Sequence, residues 1–223
     1  QRFGVNPEAW RAYVARLSQD YSPLRLPEEE APESSRYGAR FYGLDLESDQ
    51  VVFVCDTSGS MAGAKLERLQ NELRHAVSGI RASGAFNLVF FETTVHPLRP
   101  QLADATRHHR KAAERRIDEL EAHGGTNLWG GLQAALSDRE ADTIVVLTDG
   151  QPSAGRFQSG ADILAEVRER NIHRGVRIHT VWVDHAAAGS DSSGLLGHVD
   201  ESGPAAFLRR LAAENAGRFV IAR

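Results

Sequence analysis

The sequence predicts a doubly wound, Rossmann-like α/β domain: a mostly parallel sheet with helices on both faces. Short apolar runs rich in β-branched residues recur at 51–55 (VVFVC), 86–91 (FNLVFF), 143–147 (TIVVL), 176–183 (VRIHTVWV) and 218–222 (RFVIA), as expected of strands buried on both faces. Segments of helical spacing lie between them. Such alternation is the pattern of parallel strands joined by crossover helices.

A weaker run from Thr94 to Arg99 follows the second strand closely and is expected as a short antiparallel edge, a place that suits Pro97. Numbered by appearance, the six strands are expected in the order 3-2-1-4-5-6. Leu66, Leu69, Leu73, Val77 and Ile80 make one apolar helical stripe, and Ala112, Arg116, Ile117 and Leu120 belong to a second, more charged helix. Further helices are expected at about 128–137, 161–173 and 204–216. Arg107, His108, His109, Arg110, Lys111, Arg115 and Arg116 read as a solvated basic helix face, and Trp129 and Trp182 as core. The Gly-, Ser- and Asp-rich stretch 185–203 reads as a long loop.

Upstream, Trp10, Tyr13, Val14 and Leu17 follow Asn6-Pro7-Glu8 at helical spacing, so a short amphipathic helix is expected with Asn6 as its cap. Residues 21–36 carry Pro23, Pro27 and Pro32 among Glu28, Glu29, Glu30 and Glu33, a composition that resists helix and strand alike. The expected division is therefore an N-terminal helix and linker over 1–36 and an α/β domain over 37–223.

With 223 residues, 41% hydrophobic and 25% charged, the chain can bury a sizeable core. A formal charge of −4 and a pI near 6.2 provide no global attraction to nucleic acid or anionic membrane. Of the 26 basic residues only Lys65 and Lys111 are lysine, a bias expected of a GC-rich bacterial genome. Cys55, the single cysteine, lies in an apolar run and reads as a small buried hydrophobe. No apolar run approaches the ~18 residues of a membrane span, and the start at Gln1 leads us to expect a longer native chain.

In open α/β sheets ligands bind beyond the carboxyl ends of the strands. There the first strand runs into Asp56, Ser58 and Ser60, and the fourth into Thr148-Asp149-Gly150. A loop before the 128–137 helix reads His123-Gly124-Gly125-Thr126-Asn127. With the first and fourth strands adjacent where the order reverses, Asp56 and Asp149 are expected to face one another. Two carboxylates and three hydroxyls form an all-oxygen set that suits Mg²⁺, with Mn²⁺ or Ca²⁺ as substitutes. Gly59, Gly63, Gly124, Gly125 and Gly150 are expected to supply the tight turns around it.

DTSGSM after one strand, GGTN before a helix and LTDG after another strand together resemble the metal-ion-dependent adhesion site of von Willebrand factor type A domains, over about residues 45–223. The resemblance implies that Ser58 and Ser60 ligate the metal directly, Asp56 and Asp149 hold its waters, and Thr126 joins directly or through water. It implies an open coordination position for an Asp or Glu of a partner protein, hence a non-enzymatic binding module, and a 204–216 helix that shifts when Thr126 coordinates. A cell-envelope or extracytoplasmic setting is expected over a cytoplasmic one. FGVNPEAWRAYV near the start resembles the closing segment of HEAT-like repeats.

Metal-assisted hydrolysis and a purely structural scaffold are the alternatives. A phosphatase using Asp56 as nucleophile would need a second carboxylate two positions on, where Ser58 stands. The near P-loop beginning at Gly59 has Ala64 and Leu66 at its required Gly and Ser/Thr positions. Gln151-Pro152-Ser153-Ala154-Gly155 lacks the first glycine of a nucleophile elbow. His123, His185, His198 and Asp184 are expected on loops near the rim.

Overall fold

The computed structural model describes residues 39–183 and 203–222, all within one compact unit, Arg36–Arg223. The helix and linker expected over 1–36, the HEAT-like segment, Asp184, His185, His198 and nearly all of the 185–203 loop lie outside the described residues.

The chain opens with a hairpin, β1 (Ala39–Phe41) and β2 (Leu44–Leu46). Then come β3 (Gln50–Asp56), a 3₁₀ turn (Gly59–Met61), α1 (Ala64–Gly79), β4 (Ala85–Phe91), β5 (Val95–Pro97) and β6 (Ala103–Asp104). Helices α2 (Arg107–Asp118) and α3 (Leu128–Ser137) lead to β7 (Thr143–Thr148), α4 (Gly160–Asn171), β8 (Arg177–Val183), α5 (Pro204–Glu214) and β9 (Phe219–Ala222). The main sheet runs β5-β4-β3-β7-β8-β9 with β6 also on β4. Strands β4, β3, β7, β8 and β9 are mutually parallel, while β5 and β6 run antiparallel to β4.

The sheet thus has seven strands rather than the expected six. The extra one, Ala103–Asp104, is too short to show any alternation, and it pairs with Ala85 and Phe86 while β5 takes the other half of β4. The β1–β2 hairpin is a second addition. Its turn puts Tyr42 at φ 47° and Gly43 at φ 78°, the primed-turn conformation usually signalled by Asn-Gly or Asp-Gly. Tyr-Gly hides that signal.

Alternate residues of β3 fill two cores. Val51, Phe53 and Cys55 pack with Leu69, Leu73 and Val77 of α1, Ala113 and Ile117 of α2 and the hairpin. Val52 and Val54 pack with Leu128, Trp129 and Leu132 of α3, Ile163 and Val167 of α4 and Leu211 of α5. Trp129 is buried and Trp182 half-buried. No helix among the described residues is long and apolar enough to cross a membrane.

One face differs from its sequence reading. In α2 the apolar stripe of Ala113 and Ile117 extends back four residues to His109, which is buried and stacks on Phe86 with ring centroids 4.2 Å apart. Arg110 donates to the Val77 and Ile80 carbonyls at the end of α1, and Arg116 lies 5.5 Å over the Phe90 ring. Only Arg107, His108, Lys111 and Arg115 form an exposed basic face. Helix α5 also stops at Glu214, two residues short of expectation, because Ala216 takes φ 52° and Gly217 N–H closes on the Ala212 carbonyl at 2.9 Å.

His179 ties β8 to the final strand: its Nδ1 accepts from Arg218 N–H at 3.0 Å. Burial first, then the Arg218 and Arg177 charges, push its pKa from 6.5 down to about 4. The unfolded chain therefore binds this proton more readily, and the stability of the neutral ring is complete above 6.5 and lost as pH falls toward 4. Melting temperature against pH should fall less steeply across that window in His179→Gln than in wild type; equal slopes would exclude this role. A Cβ at Gly217 would overlap the Ile178 backbone. Gly217→Ala is accordingly expected to lose about 1–3 kcal/mol in a denaturant titration.

Candidate metal centre

Strands β3 and β7 are adjacent and parallel, with Cys55 opposite Leu147, so the residues following each arrive at the same edge of the sheet. Asp56 is fully buried there: one carboxylate oxygen accepts Ser58 N–H at 2.8 Å and the other accepts the Thr148 hydroxyl. The Ser58 and Ser60 hydroxyls lie 3.1 Å apart, and Ser60 donates to Oδ1 of the equally buried Asp149 at 2.6 Å. Ser58, through its N–H and hydroxyl, and Ser60 thus bridge the two carboxylates.

Thr126 reaches this cluster on the GGTN loop. Its N–H donates to the Ser153 hydroxyl at 2.9 Å, and its carbonyl accepts from Ser153 and Ala154 N–H groups at 3.0 and 3.2 Å. A Cβ on Gly150 would stand 3.7 Å from Thr126 Oγ1 and 3.9 Å from Ser60 Oγ, which places both hydroxyls around the same backbone turn. Asp56, Ser58, Ser60, Thr126 and Asp149 therefore come together from three loops.

Backbone bonds fix those loops. Thr57 N–H donates to the Phe91 carbonyl at 2.8 Å, His123 N–H to the Thr57 carbonyl at 3.0 Å, and Gly59 N–H to the Gly124 carbonyl at 3.2 Å. Met61, fully buried, anchors the 3₁₀ turn. Gly124 has φ 71°, the left-handed region that favours glycine, and a Cβ there would lie 2.7 Å from both Glu92 Oε2 and Thr93 Oγ1, so those side chains would have to shift. Of the five glycines expected to make turns, Gly63 and Gly124 have positive φ; Gly59, Gly125 and Gly150 do not.

Several residues of the site escaped the sequence reading. Lys65, noted in the sequence only as one of two lysines, places Nζ 2.5 Å from Asp149 Oδ2 and 3.2 Å from the Ser60 carbonyl. Thr148 holds Asp56, and Ser153 holds Thr126. Glu92, buried at the end of β4, accepts from Thr93 N–H and the Thr94 hydroxyl and lies 3.1 Å from His96 Nε2, while its carbonyl accepts Asn127 N–H at 2.7 Å. Hydroxyls and lone charges have no periodicity of their own, so only a cation in the first turn of α1 hinted at Lys65. His123 is exposed at the rim.

Burial raises the Asp56 pKa to about 6; hydrogen bonds from Ser58 and Thr148 work against the rise, and the Asp149 charge adds to it. A positive charge among these oxygens would relieve both carboxylates. Among the described residues no three His, Cys, Asp or Glu side chains gather as a metal cage. The donor set is instead two carboxylates with three hydroxyls, which fits a hard cation, and the Lys65 ammonium on Asp149 shows that the cluster accepts positive charge.

The profile of the von Willebrand factor type A domain matches residues 49–191. Among curated proteins, human inter-alpha-trypsin inhibitor heavy chain H4 is 30% identical over 188 residues, covering 78% of this chain and 18% of the relative. The golden hamster (Mesocricetus auratus) heavy chain H1 is 29% identical over 150 residues, covering 60% and 16%. The chain thus spans less than a fifth of these relatives' length. Among solved structures, a von Willebrand factor type A protein from Catenulispora acidiphila aligns with TM-score 0.62 at 22% identity, covering 79% of this chain and 39% of that one. An aerotolerance-related membrane protein from Bacteroides fragilis aligns with TM-score 0.55 at 16% identity, covering 78% and 90%. With the profile running from just before β3 to beyond β8, the chain belongs to the von Willebrand factor type A domain family.

Proposed function

We propose that this domain is a divalent-metal-dependent protein-binding module, with Mg²⁺, or Mn²⁺ or Ca²⁺ in its place, at Asp56, Ser58, Ser60, Thr126 and Asp149. The observation that carries the proposal is the meeting of two buried carboxylates with three hydroxyls where β3 and β7 end side by side. Ser58, Ser60 and Thr126 are neutral donors suited to direct ligation. Asp56, with both oxygens already accepting hydrogen bonds, is suited to orienting water. Bound there, the metal would supply an incompletely neutralised positive charge for an Asp or Glu of a partner protein.

The same geometry argues against catalysis by Asp56. A nucleophile has to reach the reacting atom of a substrate, and this carboxylate is fully buried. Membership of a family of protein-interaction modules supports the binding role, and a cell-envelope or extracytoplasmic setting is part of the proposal.

Calorimetry with Mg²⁺ should show binding by the wild-type chain and about 10–100-fold weaker binding by Asp56→Ala and Ser58→Ala, with circular dichroism confirming that each variant is folded. Equal heats in all three proteins would defeat the metal assignment. Incubation with p-nitrophenyl phosphate and Mg²⁺ should give no turnover. Turnover abolished by Asp56→Asn would establish the hydrolase alternative instead.

A further inference from the structure

Lys65 is the second residue of α1, where the helix dipole disfavours a cation. Its side chain nevertheless turns into the oxygen cluster. The side chain is 22% exposed, and its ammonium lies 2.5 Å from Oδ2 of fully buried Asp149 and 3.2 Å from the Ser60 carbonyl. Asp149 uses its other oxygen to accept the Ser60 hydroxyl, so the ammonium and a candidate ligand share one carboxylate. Two buried carboxylates without a counter-charge are costly, and Lys65 offsets one of them.

An ammonium and a divalent cation repel strongly at contact distance. With the ammonium on Oδ2 and the Ser60 hydroxyl on Oδ1, a divalent ion that draws on Asp149, directly or through water, competes with Lys65 for the same carboxylate. Lysine is suited to giving way, being a point charge on a flexible four-carbon stem rather than a planar fork held by paired bonds. We propose that Lys65 is a tethered, exchangeable cation: it occupies Asp149 in the metal-free domain, is displaced when a divalent ion binds, and thereby sets the affinity for that ion. The inference rests on the metal assignment of this site. A state that must be vacated before binding reduces apparent affinity to the intrinsic value multiplied by the fraction of molecules outside that state, so removing the ammonium should strengthen metal binding, opposite to the effect of losing a ligand.

The test titrates Mg²⁺ by calorimetry into wild type, Lys65→Met and Lys65→Arg, and labels wild-type amines with an N-hydroxysuccinimide ester with and without saturating Mg²⁺. Lys65→Met should bind about 10-fold more tightly than wild type, and Lys65→Arg within about 3-fold of it. Because Lys65 and Lys111 are the chain's only lysines, mass spectrometry can read Lys65 labelling against Lys111 as internal reference. That ratio should rise about 3-fold or more with Mg²⁺. Mg²⁺ binding by wild type with unchanged or weaker binding by Lys65→Met, or with an unchanged labelling ratio, would overturn the exchange. Absence of Mg²⁺ binding in all three proteins would instead overturn the metal assignment beneath it. The labelling arm uses only the wild-type chain and holds even if a variant misfolds.

Discussion

Two carboxylates buried at the ends of neighbouring parallel strands are the constraint around which this end of the molecule is organised. Asp56 is the last residue of β3 and Asp149 directly follows β7, the two middle strands of the sheet. Left alone, such a pair would be repelled from each other and from the low-dielectric interior. The Thr148 hydroxyl and Ser58 N–H on one side, and Ser60 and Lys65 on the other, are the groups that make their burial tolerable. The burial in turn keeps water from screening whatever positive charge enters among them.

The surrounding loops are not free to adapt. The DTSGS turn is bonded to the end of β4 and to the GGTN loop, which is bonded to Glu92 and to the Ser153 segment after β7. Gly124 passes so close to Glu92 and Thr93 that no other residue fits without rearrangement. Hydroxyls held on such a frame are preorganised, so little conformational entropy remains to be lost when a ligand arrives. A lysine on a flexible stem is the mobile charge in an otherwise fixed arrangement.

Much of this was legible in the sequence. The apolar runs marked the five long strands because strands buried on both faces leave a continuous β-branched signature that no loop imitates. The DTSGSM, GGTN and LTDG strings, each placed where a strand ends or a helix begins, identified Asp56, Ser58, Ser60, Thr126 and Asp149 as one candidate site. Tyr42-Gly43 and Ala103–Asp104 were not legible. A primed turn built on tyrosine and a two-residue strand are stabilised by what they pack against, and local propensity carries no trace of it.

The sequence by itself determined the order of the longer strands and the helices between them, most of their apolar faces and the five oxygen-bearing residues of the candidate site, because periodicity and chain-order motifs are local properties. Tertiary structure decided the rest. It placed His109 inside against Phe86 rather than on a basic face, since the stripe of α2 extended one turn further than apolar residues alone showed. It also brought Lys65, 84 residues away in sequence, onto Asp149. A single charge has no pattern along the chain, and its role is fixed only by the through-space distance to the carboxylate it meets.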